Sequence, residues 1–394
     1  MIQTNLNYDF NIPTRVMFGA GKLNELHNQQ LPGKKALLVI SNGKSTRVNG
    51  YLDRTVKELE KAGVASVVFD KVQANPLKAT AEEGAMFARE NNCDFAVALG
   101  GGSVIDCTKA ICLNATNPGD LWNYVFSGTG KRMVAKNNPL PFIAITTTAG
   151  TGSEVDCAGV ISNPETNEKV GVGDPRLFAT IAIVDPELMT SVPPMFTAYQ
   201  GFDALFHSTE GYVCNKSNIF GDMVEETVIR SIGEYLPIAF RDGGNMEARS
   251  RMAFANTLSG YSMMTSTCTA EHSIEHAMSA YHQNLPHGAG LIMISIAYYT
   301  TIINQHVCDE RFVNMAKLLG KADATKPEDF IVALANLQKA CHVDELKMSD
   351  YGIVPEEFEK MATNAVETMG RLIAADRKPL SHAEIVDILK QSYK

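Results

Sequence analysis

Residues 95–113, "FAVALGGGSVIDCTKAICL", run from an apolar stretch through three glycines into a segment of helical character. The apolar stretch is continuous and too short for a helix, so it reads as a buried strand of a parallel sheet. Gly100, Gly101 and Gly102 carry no Cβ and let a ligand approach the backbone. The N–H groups that open the following helix offer an anion site, to which Ser103 can add a hydroxyl. A tight strand-to-helix turn that needs glycine for geometry alone explains the same letters equally well. The pattern is not G-x-G-x-x-G, so the ordinary dinucleotide fingerprint is absent. Strand, turn and helix in this order point to a βαβ architecture.

Working outward, "KALLVIS" (35–41), "ASVVFD" (65–70), "PFIAITT" (141–147) and "ATIAIVD" (179–185) repeat the buried-strand pattern. Between them "LDRTVKELEKAG" (52–63) and "ATAEEGAMFARENN" (79–92) carry helical periodicity, the first closing on Gly63 as a C-cap. The expectation is an α/β N-terminal dinucleotide-binding domain with a parallel sheet. After "DPELMTSVPPMFT" the strand signals almost vanish. Pro193 and Pro194 suit neither a strand nor a helix interior, which places the boundary there: 1–192 a nucleotide-binding α/β domain, 193–394 an all-helical metal-binding and catalytic domain. Helix starts are expected at Ser381 and Glu384, which have capping-box spacing, and at Pro327 and Pro355. The segment "YDFNIPTRVMFG" (8–19) could supply an edge strand for a homodimer, or equally pack on its own sheet.

The chain has 394 residues, 45% of them hydrophobic, enough for two domains of ordinary size. A net charge of -9 with no long run of lysine or arginine disfavours a nucleic-acid partner, leaving small molecules as the expected ligands. The 8 cysteines are scattered without a C-x-x-C pair, as suits reduced thiols in a cytoplasm. The opening "MIQTNLNYDFNIPTRV" (1–16) lacks the basic region and apolar stretch of a signal peptide, and "GLIMISIAYYTTII" (290–303) is too short and too hydroxylated to span a bilayer. A cytoplasmic location with no membrane partner is expected.

A second loop, "ITTTAGTGSEVD" (145–156), gathers Thr146, Thr147, Thr148, Thr151 and Ser153 around Gly150 and Gly152. Hydroxyl donors and bare backbone at a strand's carboxyl end suit a pyrophosphate or a nicotinamide ribose. Two such loops argue for a dinucleotide. "NGKST" (42–46) resembles the end of a P-loop, but the required earlier glycine would fall at Leu38, which excludes that reading. Between Ser41 and Arg47 there is no acid to hold a free ribose 2′-hydroxyl; Asn42, Gly43, Lys44 and Ser45 offer neutral donors, open backbone and a positive charge. This favours NADP(H) over NAD(H). Against it, Lys44 could be a solvated surface lysine with both cofactors accepted, and Asp70 could select NAD(H).

"QGFDALFHSTEGY" (200–212) puts Asp203 and His207 at i, i+4 on one helix face, and His272 and His276 repeat the spacing. His287 follows in "PHGAG" (286–290), a turn that can swing it back towards that helix. A carboxylate with imidazoles suits Fe(II) or Zn(II), and the lack of a nearby thiolate disfavours a structural zinc site.

In this order, "GGGSVIDCTK", "ITTTAGTGSEVD", "DPELMTSVPP", "TAYQGFDALFHSTEGYV" and "HSIEHAMSAYHQNLPHGAG" resemble the iron-containing (group III) alcohol dehydrogenases over most of the chain. The resemblance implies an N-terminal nucleotide-binding domain, a C-terminal helical domain and a divalent metal in the cleft. It makes Asp203, His207, His272 and His287 the ligands of Fe(II), or alternatively Zn(II), and His276 a catalytic non-ligand beside the substrate. The cofactor contacts it implies are Gly100, Gly101, Gly102, Ser103, Asp106, Thr147, Thr148, Thr151 and Lys169. One residue more than usual in that family separates His272 from His287, so His282 is read as pocket-lining or surface.

The expected reaction is reversible oxidation of a small alcohol to an aldehyde or ketone by hydride transfer with NAD(P)(H). The metal would act as Lewis acid and His276 would pass on the hydroxyl proton. Within the same fold the alternative is a metal- and NAD-dependent lyase or cyclase resembling dehydroquinate synthase. Such sites handle phosphorylated substrates with several basic residues, whereas "FDALFHSTEGYV" and "AMSAYH" are apolar or neutral. A metal hydrolase and a metal-stabilised assembly protein are the readings from other classes.

Overall fold

In the computed structural model, which describes residues 4–394, the chain divides into two compact units, Ile12–Val192 and Pro193–Lys394, the second joined by the segment ending at Asn11. The first unit is built on strands β1 (Arg15–Phe18), β2 (Lys35–Ser41), β3 (Ala65–Val72), β4 (Phe95–Gly100), β5 (Phe142–Thr146), β6 (Ala158–Asn163), β7 (Glu168–Gly173) and β8 (Ile181–Val184). Its helices are α1 (Ser45–Val48), α2 (Tyr51–Lys61), α3 (Lys78–Glu90) and α4 (Gly102–Thr116). Six strands form one parallel sheet in the order β1-β8-β5-β4-β2-β3.

The central strands β2, β4, β5 and β8 read as apolar runs because both faces of the sheet are covered there. One face, with Leu38, Ile40, Val97, Leu99, Ile143, Ile145 and Ile183, packs with Leu52 and Leu59 of α2 and with Leu23 and Leu26 from a short 3₁₀ turn. Helix α4 lies against β4 and β5. Each such leucine or isoleucine, fully buried, contributes about 1.5–3 kcal/mol, so the sheet is the rigid frame of the unit.

The strand order carries the functional geometry. From β2 the chain moves outward to β3, then returns across β2 to β4 and continues to β5. The winding direction therefore reverses between β2 and β4, and ligands of open α/β sheets bind beyond the carboxyl ends of the strands at such a switch point. Strand β1 is the edge partner of β8, which settles "TRVMFG" as part of this sheet. The sequence reading missed the antiparallel hairpin β6–β7, registered from Ala158↔Gly173 to Asn163↔Glu168.

The second unit holds α5 (Pro194–Val213), α6 (Ile219–Arg241), α7 (Met246–Thr265), α8 (Ala270–Tyr281), α9 (His287–Ile303), α10 (Asp309–Leu318), α11 (Asp329–Ala340), α12 (Phe358–Ile373) and α13 (His382–Ser392). Local signals explain several starts. Pro194 opens α5, where its missing N–H has no intrahelical acceptor to lose, and Asn218 and Asn245 cap α6 and α7 with their side chains. The capping box of Ser381 and Glu384 opens α13.

The expected boundary at residue 192 needs one correction at the other end of the chain. Asn5 bridges Asn218, Thr4 Oγ1 donates to Asp222 Oδ2 at 2.8 Å, and Tyr8 and Phe10 pack on Phe220. Aromatic stacking and these bonds tie Thr4–Asn11 to the helical unit rather than to the sheet. Among the described residues, no helix is long and apolar enough to cross a membrane.

Candidate active site

The loops singled out in the sequence lie at the carboxyl ends of β2, β4 and β5. Asn42–Ser45 follow β2, with Gly43 and Lys44 exposed, and Asn42 N donates to Val72 O at 2.8 Å. Gly100–Ser103 follow β4 on the other side of the switch point, and Thr147, Thr148 and Thr151 follow the adjacent β5. Two glycines are required by the packing of these loops alone. A Cβ on Gly101 would stand 2.7 Å from the Thr148 side chain, and one on Gly102 would stand 2.3 Å from Thr151 Cγ2. The first turn of α4 is thereby held close against the threonine loop.

Asp106, expected among the cofactor contacts, uses both oxygens inside the fold. Oδ1 accepts from Ser153 Oγ at 2.6 Å and Oδ2 from Val160 N at 2.9 Å. Burial raises its pKa to about 6, with Lys109 pulling it back and Asp156 adding to the rise. Fully buried Lys109, which the sequence reading missed, ties Ser153, Asp156 and Ala158 O together. Asp106 is thus a brace between α4, the threonine loop and β6. Lys169 is buried on β7 opposite Ser162, on the hairpin rather than in either glycine loop. Exposed Asp70 is paired with Arg47, Nη2 to Oδ2 at 2.6 Å.

In the helical unit Asp203 and His207 of α5, His272 of α8 and His287 at the start of α9 converge. Nε2 of His207, His272 and His287 lies 3.7, 3.6 and 3.5 Å from Asp203 Oδ1. Donors held about 2.0–2.1 Å from one tetrahedral ion are separated by roughly 3.4 Å; each imidazole stands near that distance from Asp203 Oδ1, and donor atoms of Asp203, His272 and His287 all lie within 4.8 Å of one another. Asp203 Oδ1 and His272 Nε2 are buried and make no hydrogen bond, a costly arrangement unless a cation completes it. Burial would raise the Asp203 carboxyl, but the imidazoles of His207 and His287 outweigh it and hold it well below the usual range. Burial lowers His207 to about 4, opposed by Asp203 and helped by the other two rings, which leaves a neutral imidazole ready to donate a lone pair.

Two carboxylates that the sequence reading missed orient the histidines. Glu210 Oε2 pairs with His272 Nδ1, and Glu275 Oε2 with His287 Nδ1. Both leave Nε2 as the nitrogen that faces Asp203, the arrangement by which a carboxylate fixes a ligand's tautomer. Glu210 Oε1 also accepts from Thr269 N, Thr269 Oγ1 and His272 N. The sequence signal was present: Glu210 lies three residues beyond His207 on the same helix face, and Glu275 three beyond His272.

The glycines of "PHGAG" belong to the same construction. A Cβ on Gly288 would meet Tyr199 O at 2.2 Å, and one on Gly290 would meet Glu275 Cγ at 2.8 Å. Their absence lets the first turn of α9 press against α5 and leaves room for Glu275. His276 is buried beside the quartet, its ring centroid 6.3 Å from that of His272 and 5.4 Å from that of His287. His282 stands apart, with Nε2 2.9 Å from Glu357 Oε2. Cys268 overturns the expected lack of a nearby thiol. Its sulfur and ring nitrogens of His207 and His272 all lie within 4.8 Å of one another.

A parallel sheet with glycine and threonine loops at its switch point, and a helical unit that gathers three imidazoles around a buried carboxylate, fit the class of nicotinamide- and metal-dependent dehydrogenases. Comparison with known proteins agrees. The family described as iron-containing alcohol dehydrogenase matches residues 13–186, and its C-terminal counterpart matches 197–393. The chain belongs to the iron-containing alcohol dehydrogenase family. It is similar to the 1,3-propanediol dehydrogenase of Klebsiella pneumoniae, 32% identical over 98% of this chain and 99% of that protein. The NAD-dependent methanol dehydrogenase of Bacillus methanolicus is 33% identical over 91% of this chain and 93% of its own. An archaeal halo-thermophilic alcohol dehydrogenase from a Red Sea brine pool superposes with a TM-score of 0.92 at 30% identity, covering 99% of this chain and 100% of that one. As a member of this family the chain is an oxidoreductase that interconverts alcohols with aldehydes or ketones by hydride transfer with a nicotinamide.

Proposed function

We propose that Asp203, His207, His272 and His287 hold Fe(II), that Asn42–Ser45, Gly100–Ser103, Thr147, Thr148 and Thr151 cradle the nicotinamide cofactor, and that NADP(H) is preferred over NAD(H). The observation that carries the metal assignment is the convergence of three Nε2 atoms on the buried, unbonded Asp203 Oδ1. When bound, the ion supplies Lewis acidity towards a substrate oxygen and the nicotinamide supplies the hydride acceptor. Everything else falls to the chain. Glu210 and Glu275 keep the ligand rings in one tautomer and orientation. His276 receives the hydroxyl proton of the alcohol and passes it towards solvent. Asp106 and Lys109 brace the threonine loop against α4 so that the cofactor meets a fixed surface.

The preference for NADP(H) is supported by the β2 turn, which offers Asn42, Lys44 and Ser45 but no carboxylate, while nearby Asp70 is held by Arg47. The substrate is a small uncharged alcohol or aldehyde, since the segments around the ligands, "FDALFHSTEGYV" and "AMSAYH", carry no lysine or arginine to hold a phosphate or carboxylate. The test is anaerobic reconstitution of metal-free protein with Fe(II) or Zn(II), followed by nicotinamide absorbance assays on a panel of alcohols and aldehydes with each cofactor. Turnover restored by zinc alone rejects iron, and a higher kcat/KM with NAD(H) rejects the cofactor assignment.

A further inference from the structure

Cys268 lies four residues before His272, is half-exposed, and stands outside the Asp203 quartet yet beside it. Its Sγ forms with His207 and His272 a set of three donors within 4.8 Å of one another. With Nδ1 engaged by Glu210, Nε2 is the nitrogen His272 has to offer. That Nε2 is buried without a hydrogen bond, and His272 is only 3% exposed. The His207 and His272 rings are stacked with centroids 4.5 Å apart and planes 20° apart, so the two imidazoles form one firm wall of the site. Two imidazoles and a thiolate make a softer donor set than three imidazoles and a carboxylate, and soft ions select it.

We propose that His207, Cys268 and His272 form a second coordination mode for a thiophilic divalent ion such as zinc or cadmium, exclusive of the Asp203 quartet. Binding breaks the Sγ–H bond, forms a sulfur–metal bond and releases the proton to solvent, with no change of oxidation state. Because both modes need His207 and His272, an ion captured by Cys268 leaves Asp203 and His287 without their histidine partners. A thiophilic ion is then an inhibitor that competes with iron, and removing it with a chelator before adding Fe(II) reverses the effect. The thiol mode is a property of this chain's residues and does not rest on the dehydrogenase reading.

Cadmium alone is the probe, since cadmium–thiolate bonds absorb in the ultraviolet whereas cadmium–imidazole and cadmium–carboxylate bonds do not. Metal-free full-length protein titrated with Cd(II) should develop the thiolate band, and Cys268→Ser should lack it. The double variant Asp203→Asn, His287→Ala should keep it. A second measurement needs only wild type: at cadmium roughly tenfold above its dissociation constant about a tenth of the sites stay open, so iodoacetamide labelling of Cys268 should slow roughly tenfold. Labelling of Cys93 and Cys157, also half-exposed, should not change. Cadmium bound by wild type without the band, an undiminished band in Cys268→Ser, loss of the band in the double variant, or unslowed Cys268 labelling each overturns the proposal. Protein that shows the band but, reconstituted with Fe(II), oxidises no alcohol leaves the thiol mode standing and sinks the Fe(II) assignment; active iron-loaded protein without the band does the reverse.

Discussion

Replacing Glu210 with glutamine tests whether the ligand tautomer is set from behind the metal. The carboxylate is fully buried, and its Oε1 accepts from Thr269 N at 3.0 Å, Thr269 Oγ1 at 2.8 Å and His272 N at 3.2 Å. Two of these donors are backbone N–H groups that cannot turn, so in Glu210→Gln the amide oxygen is pinned on that side. Its NH₂ then faces His272 Nδ1 and donates to it, which forces the ring proton onto Nε2, the nitrogen that faces Asp203. Loss of such a partner commonly weakens metal binding 10–100-fold, about 1.4–2.7 kcal/mol. Glu210→Gln is expected near the upper figure. The assay is anaerobic competition for Fe(II) against a chromogenic chelator, with circular dichroism to confirm folding. If Glu210→Gln binds iron as tightly as wild type, the tautomer argument is wrong.

Three further outcomes are expected. His276→Phe should retain the metal while lowering kcat and flattening its pH profile; metal loss measured in that variant would make His276 a ligand. Lys44→Asp should reduce kcat/KM with NADP(H) sharply and leave NAD(H) nearly unchanged, whereas equal losses would show that the β2 turn does not read the 2′ position. Glu225 is fully buried, accepts from Ser262 Oγ and Ser266 Oγ, and has its pKa raised by burial to about 8. The folded state therefore keeps a proton that the unfolded chain releases near 4.5, and stability falls as pH rises through that window, by at most about 1.4 kcal/mol per pH unit for this group. Urea midpoints of Glu225→Gln against pH should show a shallower decline than wild type; parallel curves would refute the assignment.

Much of the frame was legible in the letters. Five apolar runs became β2, β3, β4, β5 and β8; the central four are apolar because both their faces are covered, while edge strand β3 stays partly exposed and takes polar residues. Glycine at 100–102 and in "PHGAG", and the i, i+4 pairs of Asp203 and His207 and of His272 and His276, are local patterns that survive whatever the chain does elsewhere. The hairpin β6–β7 was less legible because it runs through polar turn residues, "SNPETNEK", without the apolar continuity of the parallel strands.

What the sequence determined by itself was therefore residue type and local period: strands, helix starts, flexible glycine turns, and side chains able to bind a metal or a phosphate. Only the tertiary structure decided the strand order that sets the loops after β2 and β4 on either side of a switch point. It also gave Thr4–Asn11 to the helical unit, turned Asp106 into a brace, set Glu210 and Glu275 behind the histidines, and brought Cys268 within reach of two of them. The reason is physical. Periodicity is fixed by the backbone over a few residues, whereas the partner of a buried carboxylate or thiol is fixed by how separate helices pack, and segments distant in the chain meet only when the whole core has closed.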